Sequence, residues 1–197
     1  HYPLRRQRQM CIRDRSDRDG YQALYLMEPD GSNQTNIDRD PLAHYYYEEA
    51  LRLEPYRPDG KYVAFVRLKD NDYQIWMQDL ERGYMSFVAG ATEGVDYAPA
   101  WSPDGVHIVW VSQQNLNDEI YVVDLGEERP RGVQRLTFNS WEADKHPSWS
   151  PDGRQIVFWT NREGRKQIWL MDGDGEGQRN ISGGMGNDWD PVWVKGV

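Results

Sequence analysis

Three aspartates sit in identical tripeptides, Pro58-Asp59-Gly60, Pro103-Asp104-Gly105 and Pro151-Asp152-Gly153. Recurring carboxylates could serve general acid–base chemistry. Their neighbours argue for another duty: proline presets φ at the second position of a tight turn, and glycine takes the positive φ that closes it. Asp59, Gly60, Asp104, Gly105, Asp152 and Gly153 are therefore expected to build turns, with the carboxylates as caps. A second set, Asp96, Asp144 and Asp188, stands three residues before Pro99, Pro147 and Pro191. Each could cap the loop leading into its own repeat. The sharper expectation is that the three ring one opening and bind a cation or a basic protein segment. Trp141, His146 and Trp189 lie close by in sequence, and exposed aromatic side chains there would suit a protein interface.

Other chemistry finds little support. Asp172-Gly173-Asp174-Gly175-Glu176-Gly177 resembles the start of a calcium loop, but Gly183 occupies the twelfth position, where a bidentate glutamate is needed, so a glycine-rich hairpin turn is expected. His44, His107 and His146 are scattered, and neither His-Glu-x-x-His nor Gly-x-Ser-x-Gly occurs. Cys11 is the single cysteine, which excludes an intramolecular disulfide and a multi-thiolate metal site. No catalytic residue, metal or cofactor is expected. With 23 Lys and Arg against 32 Asp and Glu, the net charge of −9 argues against nucleic acid or anionic lipid as partner. No apolar run approaches the ~20 residues that cross a bilayer as a helix. Nine Trp, 12 Tyr and 4 Phe supply the buriable surface that disordered chains lack.

The elements that must position these residues follow from self-similarity. The three turn glycines are 45 and 48 residues apart, and each is followed 15 residues later by an apolar segment ending in Asp: Ile75 to Asp79, Ile120 to Asp124 and Ile168 to Asp172. The prolines Pro55, Pro99, Pro147 and Pro191 recur at 44, 48 and 44 residues. An earlier copy survives in part, with Ser16 to Gly20 matching Thr160 to Gly164 and Leu24 to Glu28 matching Ile168 to Asp172. In the last full copy a strand near Ser148 to Ser150 enters the Pro-Asp-Gly turn. Gln155 to Thr160 and Gln167 to Asp172 form the next two strands, and a weaker outer strand lies near Gln178 to Ser182. Four antiparallel strands in each period of roughly 40 to 50 residues predict an all-β fold of propeller blades. Short strands with apolar residues on both faces, such as Ile108 to Val111 and Ile156 to Trp159, fit sheets sandwiched between neighbours.

The run Pro147-Ser148-Trp149-Ser150-Pro151-Asp152-Gly153, then Ile156-Val157-Phe158, Asn161-Arg162-Glu163-Gly164 and Ile168-Trp169-Leu170-Met171-Asp172, resembles the PD40, or WD40-like, repeat of TolB-type β-propellers over residues 16 to 197. The copy at Pro55 departs, with Tyr56-Arg57 where Trp-Ser is expected, and Leu42 to Leu53 of the first copy suits either a helical turn or an extended loop. Residues 1–15 carry five arginines against one aspartate, leaving −13 on the rest of the chain. Met10 to Arg15 also resembles translated adapter read-through, which places the segment outside the fold. The expected division is 1–15 as an unrelated basic segment, 16–54 as a partial blade, 55–98, 99–146 and 147–190 as blades, and 191–197 as a closing strand.

About four blades is fewer than the six usual in the family. The resemblance therefore implies an open or incomplete propeller able to self-associate through exposed end blades. It further implies a non-catalytic, periplasmic platform for protein–protein interaction. The expected partner is an envelope-associated or basic protein segment, peptidoglycan-associated lipoprotein among them. The alternative is an accessory, substrate-gating propeller of a prolyl-oligopeptidase-like peptidase whose catalytic domain is missing from this sequence. A sugar-processing propeller would need a histidine or metal cluster that these residues do not assemble.

Overall fold

Each Pro-Asp-Gly tripeptide closes its hairpin in the same way. In the computed structural model, which describes residues 10–90, 94–114, 116–126 and 131–195, Gly60, Gly105 and Gly153 have φ of 72°, 71° and 72°. The turn aspartates accept the backbone N–H two residues on, from Lys61 at 2.9 Å, Val106 at 2.9 Å and Arg154 at 3.1 Å. Ser102 and Ser150 donate to Asp104 and Asp152, and their hydroxyls accept the N–H of His107 and Gln155, both at 2.9 Å. Arg57 replaces that serine in the first of the three turns and reaches Asp59 through Nε at 2.9 Å.

The elements run β1 (Met10–Ser16), β2 (Ala23–Met27), β3 (Thr35–Asn36), α1 (Pro41–Leu53), β4 (Tyr62–Lys69), β5 (Asp72–Asp79), β6 (Met85–Ala89) and β7 (Val95–Trp101). They continue with β8 (His107–Gln114), β9 (Asn117–Asp124), β10 (Arg131–Arg135), β11 (Asp144–Trp149), β12 (Gln155–Thr160), β13 (Gln167–Asp172), β14 (Arg179–Asn180) and β15 (Asp188–Lys195). Antiparallel pairing groups them into propeller blades. Blade I is β15-β1-β2-β3, blade III β7-β8-β9-β10 and blade IV β11-β12-β13-β14. Blade II is β4-β5-β6, its inner strand reduced to one bridge between Tyr56 and Val63. A parallel contact of Tyr73 with Val95 joins blades II and III into one sheet. The all-β architecture of four-stranded blades is thus present as a partial propeller.

Blades stack through apolar faces that alternate along each strand. Ala64 and Ile75 of blade II meet Ile108 and Trp110 of blade III. Val109 and Val122 of blade III meet Ile156 and Phe158 of blade IV, and Trp159 and Leu170 of blade IV meet Ile12 and Met27 of blade I. The far face of blade I is covered by α1, whose Ala43 and Tyr47 pack on Leu24, Val192 and Val194. Leu42 to Leu53 is therefore helix. Asp40 caps it by accepting the Leu42 N–H at 2.9 Å, and Pro41 stands in the first turn, where its missing N–H costs nothing.

One boundary is corrected. Met10 to Arg15 lies inside the fold: β1 pairs with β2 on one side and β15 on the other, from Met10 opposite Lys195 to Ser16 opposite Asp188, and Ile12 is fully buried. The Pro-Asp-Gly turn absent before Ser16 is not required, because the inner strand of this blade comes from the far end of the chain. Residues 1–9 of the expected basic segment lie outside the described residues, as do 196 and 197 of the closing strand.

Candidate functional site

The inner segments of all four blades line a central cavity of about 620 Å³, among them Tyr56, Trp101, Trp149 and Trp193. At one end lie the Pro-Asp-Gly turns; at the other, in the first residues of the inner strands, lie Asp96, Asp144 and Asp188. An acidic ring open to a partner does not form there, because all three carboxylates are buried. Asp144 accepts both of its ion-pair contacts from Arg162 Nη2 at 3.0 Å and a further bond from Asn139. Asp188 takes Arg18 at 2.9 Å and the Ser16 hydroxyl at 2.5 Å. Asp96 accepts the Trp110 indole N–H at 3.0 Å. Burial raises the Asp144 pKa, with the Arg162 charge opposing it. Asp14, beside Arg18 at 3.2 Å, is raised well above the usual carboxylate range by the same burial.

The arginines that hold these carboxylates inward are the side chains that the sequence reading missed. Arg162 lies 4.5 Å from the Trp169 ring and bonds Gln178 at 2.7 Å. Arg18 lies 4.1 Å from the Tyr25 ring and bonds Gln34. Each thus bridges the start of an inner strand, the turn between the next two strands and the outer strand. The signal was present: both arginines hold the same place in the matched stretches Ser16 to Gly20 and Thr160 to Gly164.

Two residues further along each inner strand the backbone is re-aimed. Ala98, His146 and Asp190 precede Pro99, Pro147 and Pro191 and have φ of 52°, 51° and 51°. A register shift marks a bulge at each place. Bulges re-aim side chains, and here His146 Nδ1 comes within 3.2 Å of Asp190 Oδ1 in the adjacent blade. Tyr47 Oη donates to the Asp190 carbonyl at 2.8 Å. Ala98 and His146 also line a cavity of about 300 Å³ with Glu54 and Phe65. Glu54 Oε1 is buried without a hydrogen-bond partner, and burial pushes the carboxyl pKa up to about 8.

Trp189 lines a cleft of about 600 Å³ with Arg15, Asp17, Lys166 and Asp190. Trp141 lies apart from it, 88% exposed on the 136–143 link from β10 to β11, beside a depression over blade III. Phe138 on the same link is 73% exposed. His146, through Asp190, thus adjoins the Trp189 cleft, and Trp141 stands apart on the 136–143 link, the rim above blade III. Among the described residues no group of three or more His, Cys, Asp or Glu side chains is arranged to hold a metal ion, and no helix is long and apolar enough to cross a membrane.

A family model described as the TolB beta propeller domain, PD40, matches residues 11–196. The Tol-Pal system protein TolB of Gluconobacter oxydans is 32% identical over 111 residues, 56% of this chain and 22% of its own length. This chain therefore spans about a fifth of that curated relative. Among solved structures, a TolB from Agrobacterium tumefaciens superposes with a TM-score of 0.55 at 20% identity, over 93% of this chain and 70% of that one. A puromycin-hydrolyzing peptidase of Mycobacterium tuberculosis gives a TM-score of 0.54 at 16% identity, over 84% of this chain and 27% of that one. At these identities the two superpositions speak for the fold alone.

Proposed function

This chain belongs to the TolB β-propeller family, and we propose that it serves as a non-catalytic platform that holds protein partners in the cell envelope, on the periplasmic side. The observation that carries the reading is the pair Trp141 and Phe138, both standing in solvent on one link, the rim between β10 and β11. Two large aromatic side chains exposed on one short link are anchors of the kind that dominate protein interfaces. The inward carboxylates are spent on internal pairing, so aromatic contact rather than an acidic ring is the means of recognition. Basic segments remain suitable partners for a chain of net charge −9. The relative from Gluconobacter oxydans, a Tol-Pal system protein, supports an envelope setting.

The test is quantitative capture from an envelope extract by immobilised wild-type chain and by the Trp141→Ala, Phe138→Ala double variant. Loss of specific partners in the variant supports the rim. Undiminished capture of the same partners removes it.

A second reading is an accessory propeller that gates a peptidase active site; the Mycobacterium tuberculosis enzyme shares the fold, which suits this role and the platform equally. The complete reading frame discriminates. A hydrolase domain carrying Gly-x-Ser-x-Gly would favour gating, and its absence would favour the platform.

A further inference from the structure

Blade II lacks the first half of its inner strand, and its side chains record what belongs there. In the other blades the inner strand opens with an aspartate directly opposite a hydroxyl residue: Asp96 opposite Ser112, Asp144 opposite Thr160, Asp188 opposite Ser16. In blades IV and I an arginine two residues beyond that hydroxyl grips the carboxylate while lying on an aromatic ring. Counted from the turn glycine, the same positions in blade II are Arg67, Lys69 and Trp76. Arg67 lies 4.6 Å and Lys69 5.5 Å from the Trp76 ring. Two cations and the ring are in place; Lys69 reaches its exposed neighbour Asp70 at 4.0 Å, and among the described residues no inner-strand carboxylate meets either cation.

The chain's own segment is poorly suited to fill the position. Continued from the Tyr56–Val63 bridge with the one-residue bulge of the other inner strands, it would set Leu51 opposite Arg67, where those blades carry an aspartate, and so would bring no carboxylate to the two cations. Leu51 instead lies in α1 and packs against the cluster of Ala43 and Tyr47 over blade I. The inner edge of β4 is left bare in consequence. Ala64 donates to the Pro55 carbonyl at 2.8 Å and the Tyr62 carbonyl accepts from Arg57 at 2.9 Å, so even-numbered residues of β4 face this edge. Val66 and Leu68 point their N–H and C=O the same way, and among the described residues no strand pairs with them there. Their side chains, with Phe87 across the blade, are exposed.

We propose that the open edge of β4 at Val66 to Lys69 takes up an extended, carboxylate-bearing segment of a partner protein by β-strand addition. Main-chain bonds to Val66 and Leu68 supply the pairing, and the carboxylate seats against Arg67 and Lys69 as Asp144 seats against Arg162. This edge is separate from the Trp141 rim, and the inference does not depend on the rim binding anything.

The test uses a blocked synthetic peptide with the sequence of residues 92–97, which carries the aspartate of an inner strand, and the same peptide with Asp96→Lys. Saturable binding of the first is expected, with slowed hydrogen exchange at the Val66 and Leu68 amides. The lysine peptide, and the first peptide on the Arg67→Glu, Lys69→Glu protein, should bind about tenfold more weakly or less. Leu68→Pro, which removes an edge donor without touching the β4–β5 ladder, should abolish binding while the melting transition persists. Trp141→Ala should leave peptide binding unchanged, so failure at the rim and failure at this edge are separate results. Equal binding of both peptides, or no slowing at Val66 and Leu68 at saturation, overturns the proposal. So does dimerisation that protects these amides without peptide, which would make a second copy the occupant.

Discussion

Arg162 holds Asp144 through two contacts of 3.0 Å, and this buried pair ties the first residue of an inner strand to the turn beyond the next strand. Arg162→Ala leaves a fully buried carboxylate without its counter-ion, so a loss of about 3–5 kcal/mol in unfolding free energy is expected in urea at pH 7. The Asp144 pKa is already raised by burial, and without Arg162 it rises further. A raised carboxylate pKa destabilises above that pKa, so the deficit should shrink as pH falls and Asp144 takes up a proton. A deficit independent of pH would refute this assignment of the loss.

Ile12→Ala tests whether β1 belongs to the fold. The side chain is fully buried among Met27, Val157 and Trp193, so its truncation should cost about 2–5 kcal/mol. A chain indifferent to the change in thermal melting would return Met10 to Arg15 to the status of an appendage.

Glu54→Gln should stabilise the protein under alkaline conditions. The folded carboxyl has its pKa pushed up to about 8 by burial, against an ordinary value of 4.5. The folded state therefore binds the proton more tightly than the unfolded state, and stability falls as pH rises from about 4.5 to 8. The amide carries no charge to desolvate. The variant should gain on the order of 2 kcal/mol over wild type above pH 8, with the gap closing below pH 5, as read from melts across that range.

Gly60→Ala isolates the backbone cost of the turn. Glycine there has φ of 72°, and an added Cβ would meet no atom within 4 Å. Strain alone should therefore cost about 1–2 kcal/mol, and Gly60→Asn should recover part of it, since asparagine visits the left-handed region more readily. Equal stability of the alanine and asparagine variants in urea would contradict the strain account.

The turns and blades were legible because their causes are local. A carboxylate capturing an amide two residues away, and a glycine at positive φ, leave their mark within a tripeptide and recur with it. The fate of Asp144 and Asp188 was harder to read: Arg162 and Arg18 recur in the matched stretches, but the carboxylates they hold lie 18 and 170 residues away, and nothing local joins the two. Spacing placed these carboxylates at the channel end, but only the arginines decide that they turn inward. Met10 to Arg15 was missed for a related reason: its apolar partners Val192 and Trp193 sit at the opposite end of the chain, and no turn announces the pairing. The ambiguity of Leu42 to Leu53, helical turn or extended loop, arose because its run of tyrosines has no strong helical preference, and Asp40 with Pro41 settles it for helix.

The pairing of β1 with β15 also fixes how the molecule answers a pull. Met10 stands directly opposite Lys195, so tension applied through these two residues acts across the ladder instead of along it. The pairs Met10–Lys195, Cys11–Val194 and Ile12–Trp193 then open one after another, each bearing the load alone. A seam of this kind unzips at low force, whereas strands drawn apart lengthwise must break all their pairs together.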